Sequence, residues 1–153
     1  MKLKLKLTLT LAIAALFANS LFAQSDAEFK KMVVNYWQTW SAMNPDKSAV
    51  MYAKNADAVF FDVAPMKYTG WQEYADGVKK AFATTASAKF TADDDITVSH
   101  HGNFAWTTDT FHGVLTGKDG KTSNLNGRHT AIWQKIGGKW LIVHDHVSVP
   151  MAE

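Results

Sequence analysis

His129 and Asp145 have the residue types and spacing best suited to chemistry in this 153-residue chain. They lie in the two arms of the run Gly127 to Pro150, where β-rich segments flank Gly137-Gly138. Such a pattern indicates a hairpin with a glycine-containing turn. With Ile136, Gly137 and Gly138 as a three-residue loop, Lys135 faces Lys139, Trp133 faces Leu141, Ala131 faces Val143 and His129 faces Asp145. That face also carries Val147 and Val149 and is apolar apart from one His and one Asp. A one-residue slip would scramble both faces. An unpaired polar group on an apolar face costs on the order of 2–7 kcal/mol, so the two residues belong together. The pair can orient the imidazole as a base or bind a polar ligand group. It can equally be a self-satisfied core pair that fixes the hairpin register.

The other face of the hairpin pairs Arg128 with His146 and Thr130 with His144. Arg128 is the only arginine beside fifteen lysines. Its planar donor fork suits a carboxylate on a neighbouring strand or partner, so Arg128 and His146 are assigned to a sheet or dimer-interface role. Two His on one strand without a third ligand at telling spacing are a weak metal signal. Asp93-Asp-Asp95 alternates faces in a strand and cannot present three carboxylates to one calcium. No metal site and no cofactor is expected. A nucleophile elbow and a glycine-rich phosphate loop are both missing, which excludes the common hydrolase and nucleotide-dependent classes.

The elements that must position these residues follow from periodicity. Ser25-Asp-Ala-Glu28 is a capping box opening a long helix on which Phe29, Val33, Tyr36, Trp40 and Met43 form one apolar stripe. Asn44-Pro45 ends it and starts a short second helix carrying Val50, Met51 and Tyr52. Ala58 to Val63 is a short strand, and Thr69-Gly-Trp-Gln72 is a second capping box for a helix with Trp71, Tyr74, Val78 and Phe82. Thereafter the chain reads as strand: Phe90 to His100, Phe104 to Leu115, and the hairpin. Helices segregated from a run of strands indicate an α+β fold, with helices packed on one face of a curved antiparallel sheet. Tyr36, Trp40, Phe60, Trp106 and Trp133 are the aromatic candidates for lining a pocket between the two layers.

Residues 1–23 are read as a secretory signal peptide, leaving a single domain over 24–153. Lys2, Lys4 and Lys6 precede the apolar run Leu7 to Phe17 and the small residues before Ala23, a span too short to cross a membrane convincingly. Cleavage is expected after Ala23, with Ser20 as the alternative, and the product is periplasmic or secreted. The leader holds three of the 16 basic residues and none of the 14 acidic ones. The remainder is therefore near neutral, which argues against nucleic-acid binding. With no cysteine, export implies neither disulfides nor thiolate chemistry.

The residues Tyr52-Ala-Lys-Asn-Ala-Asp-Ala-Val-Phe-Phe-Asp62, Thr69-Gly70-Trp71, Arg128-x-Thr130 and Gly-Gly-Lys-Trp140-Leu-Ile-Val-His-Asp-His-Val-Ser148 resemble the SnoaL-like branch of the nuclear transport factor 2-like superfamily. The resemblance covers the whole chain after the leader. It implies a cone in which a curved sheet wraps the long N-terminal helix and leaves a pocket at its open end, and a homodimer joined through the sheet. In the related ketosteroid isomerase a general-base Asp ends the first strand, and Asp62 occupies that motif position. Thr39 and Trp40 stand where that enzyme has its oxyanion Tyr, with Tyr36 a turn away. His129 and Thr130 stand near its second donor. The base position is kept and the oxyanion hole is not evident. Without the resemblance, Asp62 reads equally as a strand-end carboxylate capping its loop.

Three functions stay open on the sequence. One is binding of a small, largely apolar molecule between helices and sheet. A second is proton transfer by Asp62, or by His129 with Asp145, in an isomerisation, dehydration or hydrolysis. The third is a dimeric assembly module.

Overall fold

A computed structural model of the chain describes residues 24–151; the leader expected over 1–23 lies outside them. Helix α1 (Asp26–Trp40) starts at the expected capping box, with Ser25 Oγ accepting from Glu28 N at 3.3 Å and Glu28 Oε2 accepting from Ser25 N at 2.8 Å. Phe29, Val33, Tyr36, Trp37 and Trp40 form its buried face. The expected stripe ran on to Met43, but the helix stops at Trp40 and Met43 adopts φ 52°. Asn44 then caps the single-turn helix α2 (Pro45–Ser48) by accepting from Asp46 N at 3.0 Å, and a 3-10 turn over Ala49–Met51 continues it.

Strands β1 (Val59–Phe61) and β2 (Tyr68–Thr69) flank a loop and lead into α3 (Gly70–Ala81). The second expected capping box does not form. Glu73, one residue beyond the expected Gln72, accepts from Thr69 N at 2.7 Å, while the Thr69 hydroxyl makes no capping bond.

Five strands follow: β3 (Thr85–Ala92), β4 (Thr97–His101), β5 (Phe104–Gly117), β6 (Thr122–Ile136) and β7 (Lys139–Ser148). The single strand expected over Phe90 to His100 is interrupted near Asp93–Asp95, where Thr110 N bonds Asp95 and Asp93 N bonds Thr110 O. Both pieces pair with the same edge of β5. The sheet runs β2-β1-β7-β6-β5-β3 and is mixed rather than wholly antiparallel, because β1 lies parallel to β7. The architecture is the α+β cone: a curved sheet closed over α1, with α2 and α3 completing the helical layer.

The final hairpin corrects the expected register twice. Its loop has two residues, not three, because Ile136 pairs with Lys139 and both glycines have positive φ, 57° and 81°. Positive φ at both central positions is the requirement of a type I′ turn. A bulge at Val143 then inserts one residue into β7, so Trp133 pairs with Ile142 while Ile132 pairs with His144. Ile142, which shares the parity of His144 and His146, is therefore fully buried while they are not. Beyond the bulge Ala131 pairs with Asp145, His129 with Val147, Thr130 with His146 and Arg128 with Ser148. An extra residue on one strand kinks it and changes which parity faces the core.

Candidate functional site

His129 and Asp145 are diagonal neighbours rather than directly opposed, yet they meet: His129 Nε2 lies 2.9 Å from Asp145 Oδ1. The second ring nitrogen, Nδ1, lies 2.8 Å from Asp109 Oδ1. Asp109 extends the cluster to Trp37, whose Nε1 donates to Oδ2 at 2.7 Å. Asp145 Oδ2 accepts from the hydroxyls of Tyr36 at 2.9 Å and Tyr52 at 2.6 Å. The ring of Tyr36 stacks on that of His129 with centroids 4.4 Å apart. All six residues are buried.

Each ring nitrogen of His129 lies within hydrogen-bond distance of a carboxylate oxygen, an arrangement that an imidazolium with two N–H donors satisfies. Burial by itself pushes the His129 pKa down; the Asp145 charge and the bonds to Asp109 and Asp145 outweigh it and carry it up to about 9. Burial, followed by the nearby Asp145 charge, holds Tyr36, Tyr52 and Tyr74 well above the ordinary tyrosine range. In this arrangement His129 has no free nitrogen to take a proton, and every oxygen of both carboxylates has a donor.

Beside the cluster lies a cavity of about 270 Å³. Helix α1 contributes Tyr36, Trp37 and Trp40; α3 and the following turn contribute Tyr74, Val78, Ala81 and Phe82. The inner face of the sheet supplies Phe90, Phe111, Leu115, Leu125 and Val147. The loop after β1 completes the wall with Asp62, Val63 and Ala64. Asp62 is placed there because β1 ends at Phe61, one residue beyond the Phe60–Asp145 pairing. Its Oδ1 accepts a single hydrogen bond, 2.7 Å from Val63 N. Burial raises the Asp62 pKa to about 6 against the opposing Val63 bond, with a further push upward from Asp145. Trp40 Nε1 is buried with no hydrogen-bond partner.

The aromatic candidates divide. Tyr36 and Trp40 line the cavity. Phe60 is fully buried and stacks on Tyr74 at 4.8 Å, behind the wall. Trp133 is fully buried near the other end of α1, packed edge-on to Phe29 and donating to Thr107 Oγ1 at 3.0 Å. Trp106 faces outward and is 47% exposed, because β5 buries Ala105, Thr107, Asp109 and Phe111 and exposes the residues between. Arg128 and His146 are exposed on that outer face, one pair apart instead of opposite each other. Among the described residues no group of His, Cys, Asp or Glu is arranged to hold a metal ion, and no helix is long and apolar enough to cross a membrane.

Asp109 and Trp37 carry no sequence-based assignment, and Tyr52 and Tyr74, placed on their elements, carry none as part of the site. Trp37 lies four residues after Val33 and could have been added to the stripe. Asp109 shares the inward parity of Phe111, but apolar residues stand on both parities of β5, with Phe104 and Trp106 outward, so the sequence alone does not say which side is inside.

The chain belongs to the SnoaL-like domain family, whose model matches residues 15–152. Solved structures agree on the fold. A nuclear transport factor 2-like superfamily protein from Salmonella enterica is 21% identical with a TM-score of 0.71, covering 80% of this chain and 92% of its own. A Xanthomonas campestris protein, provisionally named a calcium/calmodulin-dependent protein kinase II association domain, is 22% identical with a TM-score of 0.70 over 85% and 91% of the two chains. A Novosphingobium aromaticivorans protein, provisionally named a scytalone dehydratase, is 13% identical with a TM-score of 0.70 over 80% and 82%. No curated protein matches the chain.

Proposed function

We propose that this is an exported protein that binds a small, largely apolar molecule in the cavity between α1, α3 and the inner sheet face. The observation that carries the reading is the composition of that cavity: about 270 Å³ walled by aromatic and aliphatic side chains, with Asp62 as the single charged group. Small-molecule sites have this character, mostly apolar with a few placed polar groups. The buried cluster behind the wall supports it by holding Tyr36 and Trp37 rigidly. A ligand present at a hundred times its Kd should stabilise the protein by about 2.7 kcal/mol. A thermal-shift screen of apolar compounds measures this, and Val78→Trp, which fills the cavity, should abolish the shift. Hits that survive Val78→Trp would place binding elsewhere.

A second reading is proton transfer by Asp62. A carboxylate with a pKa near 6 is suited to accepting a proton close to neutral pH. Against it, the hydroxyls of Tyr36 and Tyr52 are both engaged by Asp145, so neither is free for a substrate oxyanion. On this reading Asp62→Asn abolishes turnover of an enolisable ketone without changing its Kd. Homodimerisation through the outer sheet face, where Phe104 and Trp106 are each 47% exposed, belongs to the same proposal. Light scattering on the wild type and Trp106→Lys tests it, a wild-type monomer being the adverse result.

A further inference from the structure

Asp62 is a carboxylate without a counter-charge in a cavity lined by aromatic and aliphatic side chains. Tyr36, Trp37, Trp40, Tyr74, Phe90 and Phe111 share the cavity wall with it, and no lysine, arginine or histidine does. No salt bridge to Asp62 is found among the described residues, and its one hydrogen bond comes from the adjacent backbone. Asp145, the charged group that acts on it from behind the wall, has the same sign. Ring faces carry negative potential and attract cations, with the strongest effect where water is excluded. A desolvated carboxylate is stabilised by an opposite charge and destabilised by a like one. An anionic ligand would meet repulsion here; a cationic one would supply the missing partner.

We propose that the cavity binds an organic ammonium compound, an apolar amine or quaternary ammonium whose nitrogen sits against Asp62 among the surrounding aromatic side chains. This rests on the cavity being the binding site proposed above, and it adds the charge of the ligand.

Benzyltrimethylammonium and its uncharged carbon isostere neopentylbenzene differ by the charge on one atom. Titration of the full chain after leader removal, followed by fluorescence of Trp37 and Trp40, gives both affinities. The cation is expected to bind at least tenfold more tightly at pH 7.5. Asp62→Asn, whose side-chain oxygen can still accept from Val63 N, should weaken the cation at least fivefold and the neutral probe less than twofold. In the wild type, cation affinity should fall as pH is lowered from 7.5 to 5 and Asp62 takes up a proton. Of the groups facing it, Tyr68 and Tyr74 have raised pKa values and keep their protons over this range, while Asp145 is bound by Tyr36 and Tyr52. If the isostere binds as tightly as the cation, or Asp62→Asn weakens both alike, the ammonium assignment is overturned while the binding reading stands. If neither probe binds, the cation tested to millimolar concentration and the hydrocarbon to its aqueous solubility, both fall.

Discussion

The two acidic environments of this molecule lie on either side of one wall and have opposite character. Behind it, Asp109 and Asp145 are saturated by His129, Trp37, Tyr36 and Tyr52. At the cavity, Asp62 has one backbone bond and no cation. The first set is arranged to hold position, since every polar atom already has its partner and a single deletion leaves a buried charge exposed to none. The second keeps unspent hydrogen-bonding capacity beside the cavity. Deep burial of a carboxylate therefore does not by itself mark a site: Asp109 and Asp145 are fully buried and fully bonded, while the half-buried Asp62 keeps bonding capacity beside the cavity.

The largest expected effect breaks the saturated side. His129→Ala removes the imidazolium and leaves two buried carboxylates, which should cost about 3–5 kcal/mol or prevent folding. Urea denaturation measures it, and a loss below about 1 kcal/mol would mean the cluster holds little together.

The same cluster sets a pH dependence. His129 is raised in the folded state to about 9, so its contribution to stability is complete below the unfolded value of about 6.5 and is lost as pH rises through 9. The urea midpoint of the wild type should decline across that window, and the decline should be missing from a folded His129→Gln variant.

Asp62 should respond in the opposite way to removal. Its folded pKa is raised to about 6, so the stability it lends is complete below an unfolded value of about 3.9 and lost as pH rises through 6. Asp62→Asn is thus expected to stabilise the protein at pH 7 by on the order of 1–3 kcal/mol, and not at pH 4. A destabilised variant at pH 7 would put Asp62 with the saturated group and erase the contrast. The smallest effect belongs to the outer face, where Trp106→Thr should change monomer stability by no more than about 0.5 kcal/mol.

Much of this was legible in the sequence. The α1 capping box, the Asn44-Pro45 break and the segregation of helices from strands follow from local chemistry and periodicity. The polar isolation of His129 and Asp145 on an apolar surface required them to meet, and they do, even though the register that introduced them was wrong. The two-residue turn and the Val143 bulge each shift the pairing by one residue, so the faces agree again beyond the bulge. Asp109 was hidden because alternation along β5 gives parity without saying which parity is inside, and only its contact with His129 decides. Trp106 fell on the wrong side for the same reason. Asp62 was placed by resemblance; its lack of a counter-charge emerges only when the whole wall is assembled.

The bulge at Val143 has one more consequence. Inward residues of β7 are Trp140 and Ile142 before it, Asp145 and Val147 after it. Excision of Val143 would turn that sequence into strict alternation, leaving each flanking residue opposite its present partner on β6 and facing its present side. The hairpin can therefore lose a residue at this point without re-sorting core from surface, and what changes is the bend of the strand over α1. A single-codon deletion becomes a dial on the width of the cone, separable from the identity of every side chain inside it.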